Sequence, residues 1–311
     1  MTQQLTEIAR GLRFPEGPIA MPDGTFYVVE IEKGCLSKIE AGGRTVVVAM
    51  TGGGPNGAAI GPDGKCYVCN NGGHSWREDA ALGLLPTGPS GDYTHGWIDR
   101  VDLATGAVER LYEASDKGPL RSPNDLVFDR HGGFWFTDLG KARHRDVDRG
   151  AICYARADGT SIREAIFPML SPNGIGLSAN EDELYVAETQ SGRLWAFDIA
   201  EPGKIKRSVR WPQSPHGGRM LFGPDVFQGF DSLGVDSAGR VCVATVFKGG
   251  ITLVSPLGKA PEFIEMPDPL TTNICFGGPD LRTAYITLSS TGRLVSMPWP
   301  VPGLPLNFVN C

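Results

Sequence analysis

A short motif occurs six times along this chain of 311 residues and constrains its fold more than any other feature of the sequence. Each copy has a polar residue, a short apolar run, a turn, and a second run rich in aromatic and β-branched residues. The six polar positions, which we call the anchors, are Glu16, Asn56, Asn124, Asn173, Asp231 and Asn273. Their spacings of 40, 68, 49, 58 and 42 residues are close, on average, to one four-stranded propeller blade. The repeat therefore predicts an all-β, six-bladed β-propeller with a central channel, formed by residues 1–311 as a single domain.

The position of the turn within each copy predicts how the anchors are arranged. A turn follows the anchor at a fixed offset, and four of the six turns have glycine at the second position, where a tight hairpin requires a positive φ. Each anchor then opens the innermost strand of its blade, so that all six anchors surround one mouth of the channel. We expect residues 6–13 to complete the blade that the last copy begins, which closes the ring.

Composition excludes several classes of function. The net charge of -6 argues against nucleic acid, whose binding requires a basic face. No run of 18 apolar residues is present, so the sequence predicts no transmembrane helix and no membrane partner. The first ten residues, MTQQLTEIAR, do not resemble a secretory signal, and we expect a cytoplasmic protein.

The seven cysteines favour a reduced compartment, because their number is odd and most lie in apolar runs. Cys66 and Cys69 form a CxxC pair that would point to redox or zinc chemistry in another context. Residues three apart on a strand face opposite sides of the sheet. We therefore interpret both as buried structural thiols.

The anchors together have the chemistry of a metal site. Two are carboxylates, Glu16 and Asp231, and they would repel each other without a cation between them. Ligation by oxygen alone favours Ca²⁺, Mg²⁺ or Mn²⁺ over a zinc site built on histidine or cysteine. The best set of three ligands is Glu16, Asn173 and Asp231, with Asn124 as a fourth ligand or a substrate donor. Asn56 and Asn273 are more simply interpreted as hydrogen-bonding residues, and strand alternation predicts that Asp125 points away from the channel.

Candidate substrate-binding residues lie in the loops around the anchor mouth. The longest insertion spans residues 71–95 and contains His74 and Trp76, which would contact substrate if the insertion is a lid and would have no such role if it is an exposed loop. Arg121 lies close to Asn124 in sequence and is a candidate for binding a substrate carboxylate or hydroxyl. The proline-rich stretch from residue 297 to 311 packs over the last blade or forms a subunit contact; the sequence leaves both open.

Four motifs resemble the senescence marker protein/gluconolactonase/luciferin-regenerating enzyme family. They are FPEGP at Phe14, SPNDLVFD at Ser122, SPNGIGLS at Ser171 and FDSLGVD at Phe230. The resemblance implies a six-bladed propeller with one metal ion bound by Glu16, Asn173 and Asp231, and with Asn124 contacting substrate. Many members open sugar lactones, and a related branch hydrolyses organophosphates. The chain departs from the common pattern at Ser232, where glycine is usual after the aspartate, and at Ser122, where some animal members have an arginine.

The resulting hypothesis is a metal-dependent hydrolase that opens a small lactone ring, first of all a sugar lactone, to the hydroxy acid. One divalent ion (Ca²⁺, Mg²⁺, Mn²⁺, Zn²⁺ or Fe²⁺) would polarise the carbonyl, and Asp231, or alternatively Glu16, would act as the general base. The alternatives are a phosphotriesterase-like hydrolase and a non-catalytic propeller that binds calcium or serves as a scaffold. The expected partner is a small lactone, with the protein a monomer or a homodimer.

Overall fold

The predicted six-bladed β-propeller is the fold of the chain. The computed structural model describes residues 5–206 and 214–310. Their strands form six four-stranded antiparallel blades around a channel, and the innermost strand of each blade carries its anchor. In these two stretches, no helix has the length and apolar character that crossing a membrane requires.

The blades follow one another in chain order, and the strands of each blade run from the channel outward. Blade 1 contains Pro15–Ala20, Phe26–Glu30, Cys35–Ile39 and Thr45–Met50. Blade 2 contains Pro55–Ile60, Cys66–Asn70, Trp97–Val101 and Val108–Tyr112. Blade 3 contains Pro123–Phe128, Gly133–Asp138, Gly150–Arg156 and Ile162–Met169. Blade 4 contains Pro172–Leu177, Glu183–Glu188, Arg193–Glu201 and Arg219–Phe222, with Lys204–Ile205 also paired to its third strand.

Blade 5 contains Gly229–Val235, Val241–Val246, Gly250–Val254 and Glu262–Glu265. Blade 6 contains Thr271–Gly277, Thr283–Leu288, Arg293–Pro298 and, as its outermost strand, Thr6–Arg10 from the start of the chain. Thr6 lies opposite Ser296 and Arg10 opposite Arg293. The expected closure of the ring by the N-terminal segment is therefore confirmed. Two further strand pairs lie outside the blades: His74–Asp79 with Gly83–Pro89, and Ala114–Ser115 with Gly118–Pro119.

The turns after the innermost strands have the geometry that the repeat predicts. The second turn residue, eight positions after the anchor, has a positive φ in all six blades. Four of these residues are glycine, as expected. The other two, Glu181 and Leu281, adopt φ values of 57° and 56° in spite of their side chains. The repeat therefore dictates the backbone even where the favoured residue is missing.

The hydrophobic core is divided among the interfaces between neighbouring blades. Cys66 packs in the cluster between blades 1 and 2, whereas Cys69 packs in the cluster between blades 2 and 3. The two thiols face opposite sides of their sheet, as strand alternation predicts. Both are buried and unpaired, and burial raises their pKa values. Cys311 lies outside the described residues.

The C-terminal segment crosses the channel mouth opposite the anchors. Gly303 bridges to Asp236 of blade 5, and the Leu304 amide donates to the Val235 carbonyl at 2.9 Å. Asn307 then reaches blade 3, where its Nδ2 donates to the carbonyl of Phe128 at 3.0 Å. The segment therefore packs on blades 5 and 3 and extends well beyond the last blade, and its alternative role as a subunit contact stays a prediction.

Candidate active site

The anchors form the floor of a cavity of about 540 Å³ that opens at one mouth of the channel. Five of the six line it: Glu16, Asn56, Asn124, Asn173 and Asp231. Asn273 instead lines a second cavity, of about 450 Å³, on the side of the C-terminal segment. The inner-strand register predicted from the repeat therefore brings the proposed metal ligands together from four different blades.

A β-bulge at the anchor position changes the direction of the next side chain. In every blade the register between the first two strands shifts at the anchor, for example between Pro123 and Leu126 in blade 3. The expectation that Asp125 points away from the channel is wrong, because simple alternation does not continue through a bulge. Asp125 lines the second cavity, directly beyond the anchors. Its pKa is raised to about 7 by burial and by the nearby Glu16 carboxylate.

In three blades the residue after the anchor lies where the innermost strands of neighbouring blades approach each other closely. This residue is glycine in all three, namely Gly17, Gly57 and Gly174. A Cβ on Gly17 would lie 2.7 Å from the Ala58 nitrogen, and one on Gly57 would lie 2.5 Å from the Asn124 carbonyl oxygen. The innermost strands approach each other so closely here that side chains do not fit. This close approach holds the anchors of neighbouring blades at fixed positions.

Buried acidic residues hold the segments that precede three of the strands carrying proposed metal ligands. Each is the last residue of the second strand of its blade and accepts a hydrogen bond from a backbone amide just before the innermost strand. Glu30 accepts from Arg13 at 2.8 Å, Asp138 from Arg121 at 2.7 Å, and Glu188 from Leu170 at 2.7 Å. A charged acceptor makes a stronger bond than a neutral one. These bonds therefore hold the segments that present Glu16, Asn124 and Asn173.

The two anchor carboxylates lie in an environment that disfavours two negative charges. Burial raises the pKa of Glu16 to about 7, although its Oε2 accepts from the Gly17 amide and from Asn273 Nδ2, both at 2.7 Å. Burial also raises the pKa of Asp231 well above its usual range, and repulsion by Glu16 adds to the shift. Asn273 therefore supports Glu16 by hydrogen bonding, in line with its interpretation as a structural residue. A cation between the two carboxylates would relieve both effects.

The amide anchors supply oxygens that have no partner in the protein. The side-chain oxygens of Asn124 and Asn173 are buried and accept no hydrogen bond. Unsatisfied buried oxygens are costly, and in the same cavity floor as two carboxylates they form a donor set that matches a hard divalent ion. In the part of the chain that the structure describes, no three His, Cys, Asp or Glu side chains converge as a metal site. The donor set that fits a metal is therefore the mixed one of Glu16, Asn124, Asn173 and Asp231.

A β-hairpin formed by His74–Asp79 and Gly83–Pro89 covers one side of the cavity. It belongs to the insertion of residues 71–95, for which the sequence analysis left two interpretations open, a lid or an exposed loop. Its Leu84 packs with Phe14 and Ile31 in a small core of its own, and the Trp76 ring packs against that of Phe14 at a tilt of 53°, with centroids 5.0 Å apart. The hairpin is thus packed against blade 1 and forms part of the cavity wall.

The structure places His74 and Trp76 in the cavity wall and Arg121 outside it. The side chain of Arg121 is exposed, and its backbone serves the turn before blade 3. The lysine that lines the cavity is Lys141, which the sequence analysis did not single out. It is 2% exposed, and its Nζ donates to the Asn71 carbonyl at 2.6 Å. Burial lowers the pKa of Lys141 to about 7, and burial together with Lys141 lowers that of His74 to about 3.

Known proteins with similar sequences include hydrolases of two kinds. The diisopropyl-fluorophosphatase of Loligo vulgaris is 25% identical over 94% of this chain and 91% of its own length. The gluconolactonase of Zymomonas mobilis is 23% identical over 91% of this chain and 78% of its own length. Among solved structures, a gluconolactonase from Xanthomonas campestris shares the fold, with a TM-score of 0.73, 21% identity, and coverage of 96% of this chain and 90% of that one.

The family profile described as the SMP-30/gluconolactonase/LRE-like region matches residues 14–290. The match begins two residues before the first anchor and ends beyond the sixth, so it contains all six anchors. The chain is therefore a member of the SMP-30/gluconolactonase/LRE-like family.

Proposed function

We propose that this protein is a metal-dependent hydrolase that opens a lactone ring to the hydroxy acid. The observation that carries the proposal is the cavity floor, where the buried Glu16 carboxylate and the partly exposed Asp231 carboxylate lie with two amide oxygens that have no protein partner. Glu16, Asn124, Asn173 and Asp231 would hold a divalent ion there. Such an ion polarises the ester carbonyl and stabilises the negative charge that develops on its oxygen.

The chain's own groups are suited to move the proton of the attacking water. Water adds to the carbonyl carbon, the bond from that carbon to the ring oxygen breaks, and the water proton passes through a carboxylate to the departing alkoxide. Asp231 is the better candidate for this carboxylate, because it keeps partial exposure to the cavity. Glu16 is 2% exposed and its Oε2 already accepts two hydrogen bonds.

The relatives support lactone hydrolysis as the reaction class. Besides the gluconolactonase, they include a 6-deoxy-6-sulfogluconolactonase of Pseudomonas putida, 29% identical over 63% of this chain and 64% of its own length. Sugar lactones are therefore the first substrates to assay, as the sequence predicts. The candidate ions are Ca²⁺, Mg²⁺, Mn²⁺, Zn²⁺ and Fe²⁺.

The experiment that tests the proposal is a lactonase assay on metal-stripped protein. Acid release from a panel of lactones is followed while the five ions are added back singly. Hydrolysis that returns with one or two of these ions, and is lost in Asp231→Asn, supports the proposal. Full activity in the presence of a strong chelator, or near-normal activity of Asp231→Asn, contradicts it.

A phosphotriesterase-like activity is the second candidate, and the similarity to diisopropyl-fluorophosphatase favours it. The same oxygen ring would hold an ion able to polarise P=O as well as C=O. Release of fluoride from a phosphorofluoridate by the metal-loaded protein tests this candidate. Fluoride release without hydrolysis of any lactone would replace the first proposal by the second.

A further inference from the structure

We propose, on the basis of the function proposed above, that the group carried by the lactone ring is apolar, an alkyl chain or an aromatic ring, and not a set of sugar hydroxyls. The cavity wall above the anchors carries the inference. Most of its side chains are apolar or aromatic, and they come from the hairpin and from blades 1, 3, 5 and 6. Members of this wall include Phe14, Trp76, Leu85, Leu139, Phe247 and Leu270.

Several polar side chains of the wall already have protein partners. Thr189 donates to the Phe230 carbonyl at 2.6 Å, and the Thr272 hydroxyl pairs with that of Thr287 at 2.9 Å. The Nδ1 atom of His74 lies 3.3 Å from the Gly88 carbonyl oxygen. A buried hydroxyl without a partner costs free energy. Asn71 Nδ2 is a buried donor of this lining without a partner and could accommodate one hydroxyl. A polyhydroxylated substrate would still leave other hydroxyls without partners against the apolar wall, whereas an apolar group needs none.

The apolar wall continues outward to the rim of the cavity. Phe247 lines the cavity but remains 60% exposed, and its ring stacks on Phe227, which is 71% exposed, with centroids 5.7 Å apart. Leu82, at the tip of the hairpin, also lines the cavity and is 44% exposed. Exposed aromatic pairs of this kind are typical of binding surfaces. An apolar group several carbon atoms long would therefore find contacts all the way from the anchors to the rim.

The hairpin shows that this wall is a fixed part of the site. The Leu84 amide donates to the Ser290 carbonyl at 2.9 Å, which ties the hairpin to blade 6. Arg13 ties it to blade 1 through Glu78, at 2.8 Å. A wall that is formed before substrate arrives costs little free energy to organise on binding. The apolar surface is therefore ready to receive a ligand.

Three lactones with the same six-membered ring test the inference: δ-valerolactone, δ-decanolactone and glucono-δ-lactone. They differ in having no side group, a pentyl chain, or hydroxyl groups. Burial of about 0.8 kcal/mol per methylene group corresponds to roughly a fourfold gain for each one. We expect kcat/KM for δ-decanolactone to exceed that for the other two by tenfold or more. Equal values, or preference for glucono-δ-lactone, would overturn the inference and leave the proposed lactonase function intact.

A variant and a binding measurement separate the two proposals. Phe247 has a φ of 70°, a conformation that asparagine tolerates, so Phe247→Asn removes the ring without straining the backbone. It should lower kcat/KM for δ-decanolactone about tenfold, and lower kcat/KM for δ-valerolactone, which has no chain to contact the ring, by a clearly smaller factor. The matched control is Leu257→Asn, which alters a residue 84% exposed and outside the cavity. Calorimetry with 2-pentyltetrahydropyran, which has the ring and chain but no ester, should show binding that Phe247→Asn weakens. Absence of such binding overturns the inference, whether or not any lactone is hydrolysed.

Discussion

Asn173 Nδ2 donates a hydrogen bond to Thr189 Oγ1 at 3.1 Å, and the same hydroxyl donates to the Phe230 carbonyl at 2.6 Å. Because the hydroxyl proton is committed to the carbonyl, Thr189 can only accept from Asn173. The amide of Asn173 is therefore held with its nitrogen toward Thr189, and its oxygen is left without a protein partner. Thr189 would therefore affect metal binding indirectly, by orienting the side chain of Asn173.

Replacing Thr189 by valine should weaken metal binding without removing a ligand. The amide of Asn173 would lose the bond that orients it, and loss of such a supporting bond typically costs 10- to 100-fold in metal affinity. Thr189→Ser retains the hydroxyl and should bind metal nearly as well as the native protein. Titration calorimetry of the metal-stripped proteins measures the difference. Equal affinities in Thr189→Val and Thr189→Ser would exclude this orienting role.

Removal of the metal should make folding stability depend on pH between about 5 and 7. The pKa of Glu16 is raised to about 7 in the folded protein, from an ordinary value of 4.5. Between these pKa values the folded protein holds a proton on Glu16 that the unfolded chain has released. The contribution of Glu16 to stability is therefore fully present below pH 4.5 and is lost as pH rises through 7. The loss for Glu16 alone is about 3 kcal/mol.

Denaturant unfolding of metal-stripped protein at several pH values measures this loss. Glu16→Gln cannot ionise and should show a correspondingly smaller decline over the same range. Addition of the metal should also suppress the decline in the native protein, since the ion stabilises the ionised carboxylates. A metal-stripped native protein as stable at pH 7.5 as at pH 5 would contradict the prediction.

Lys141 should affect stability in the opposite sense at higher pH. Burial lowers its pKa from 10.5 to about 7, so between pH 7 and 10 the unfolded chain binds a proton that the folded chain lacks. The contribution of this residue to stability therefore rises with pH, by about 1.4 kcal/mol for each pH unit between 7 and 10. Relative to Lys141→Met, the native protein should become more stable from pH 7 to pH 10. The same comparison with Lys117→Met, which changes an exposed lysine, should show no trend.

Gly83 should be essential for the docking of the hairpin. A Cβ at this position would lie 2.1 Å from the Ser290 carbonyl oxygen, and φ is 85°. Gly83→Ala should therefore displace the hairpin tip, lower stability by about 1–3 kcal/mol, and expose the hairpin to proteolysis. Gly91→Ala is the matched control, because a Cβ there has nothing within 4 Å. Equal protease resistance in both variants would show that the tip does not depend on this contact.

The features that could be predicted from the sequence are those that recur in every blade. The anchors, the turns eight residues later and the pairing of Thr6–Arg10 with the last blade follow from the repeat, because each copy solves the same packing problem. Even Glu181 and Leu281 obey it. Because the motif occurs six times, it can be recognised even where a single copy has an unfavoured residue.

The features that sequence reasoning missed are those for which the repeat gives no guide. Asp125 was misplaced because a bulge is a property of strand pairing and not of one strand's alternation. Lys141 gave no signal, since the sequence does not distinguish a buried lysine from a solvated one. Arg121 was chosen for nearness in sequence to Asn124, but its side chain is exposed outside the cavity. The hairpin comes from an insertion with no counterpart in other blades.

The closure of the ring by Thr6–Arg10 determines when this protein can finish folding. Thr6–Arg10 precedes every other strand of the blades in the sequence, whereas its partner strand, Arg293–Pro298, follows all of them. The first strand therefore has no partner until the strands of all six blades have been synthesised. Contacts so distant in sequence slow folding and leave unpaired strand edges exposed in the meantime. Blade 6 is therefore completed only when Arg293–Pro298 has been made, and a nascent chain that lacks this strand has no closed ring.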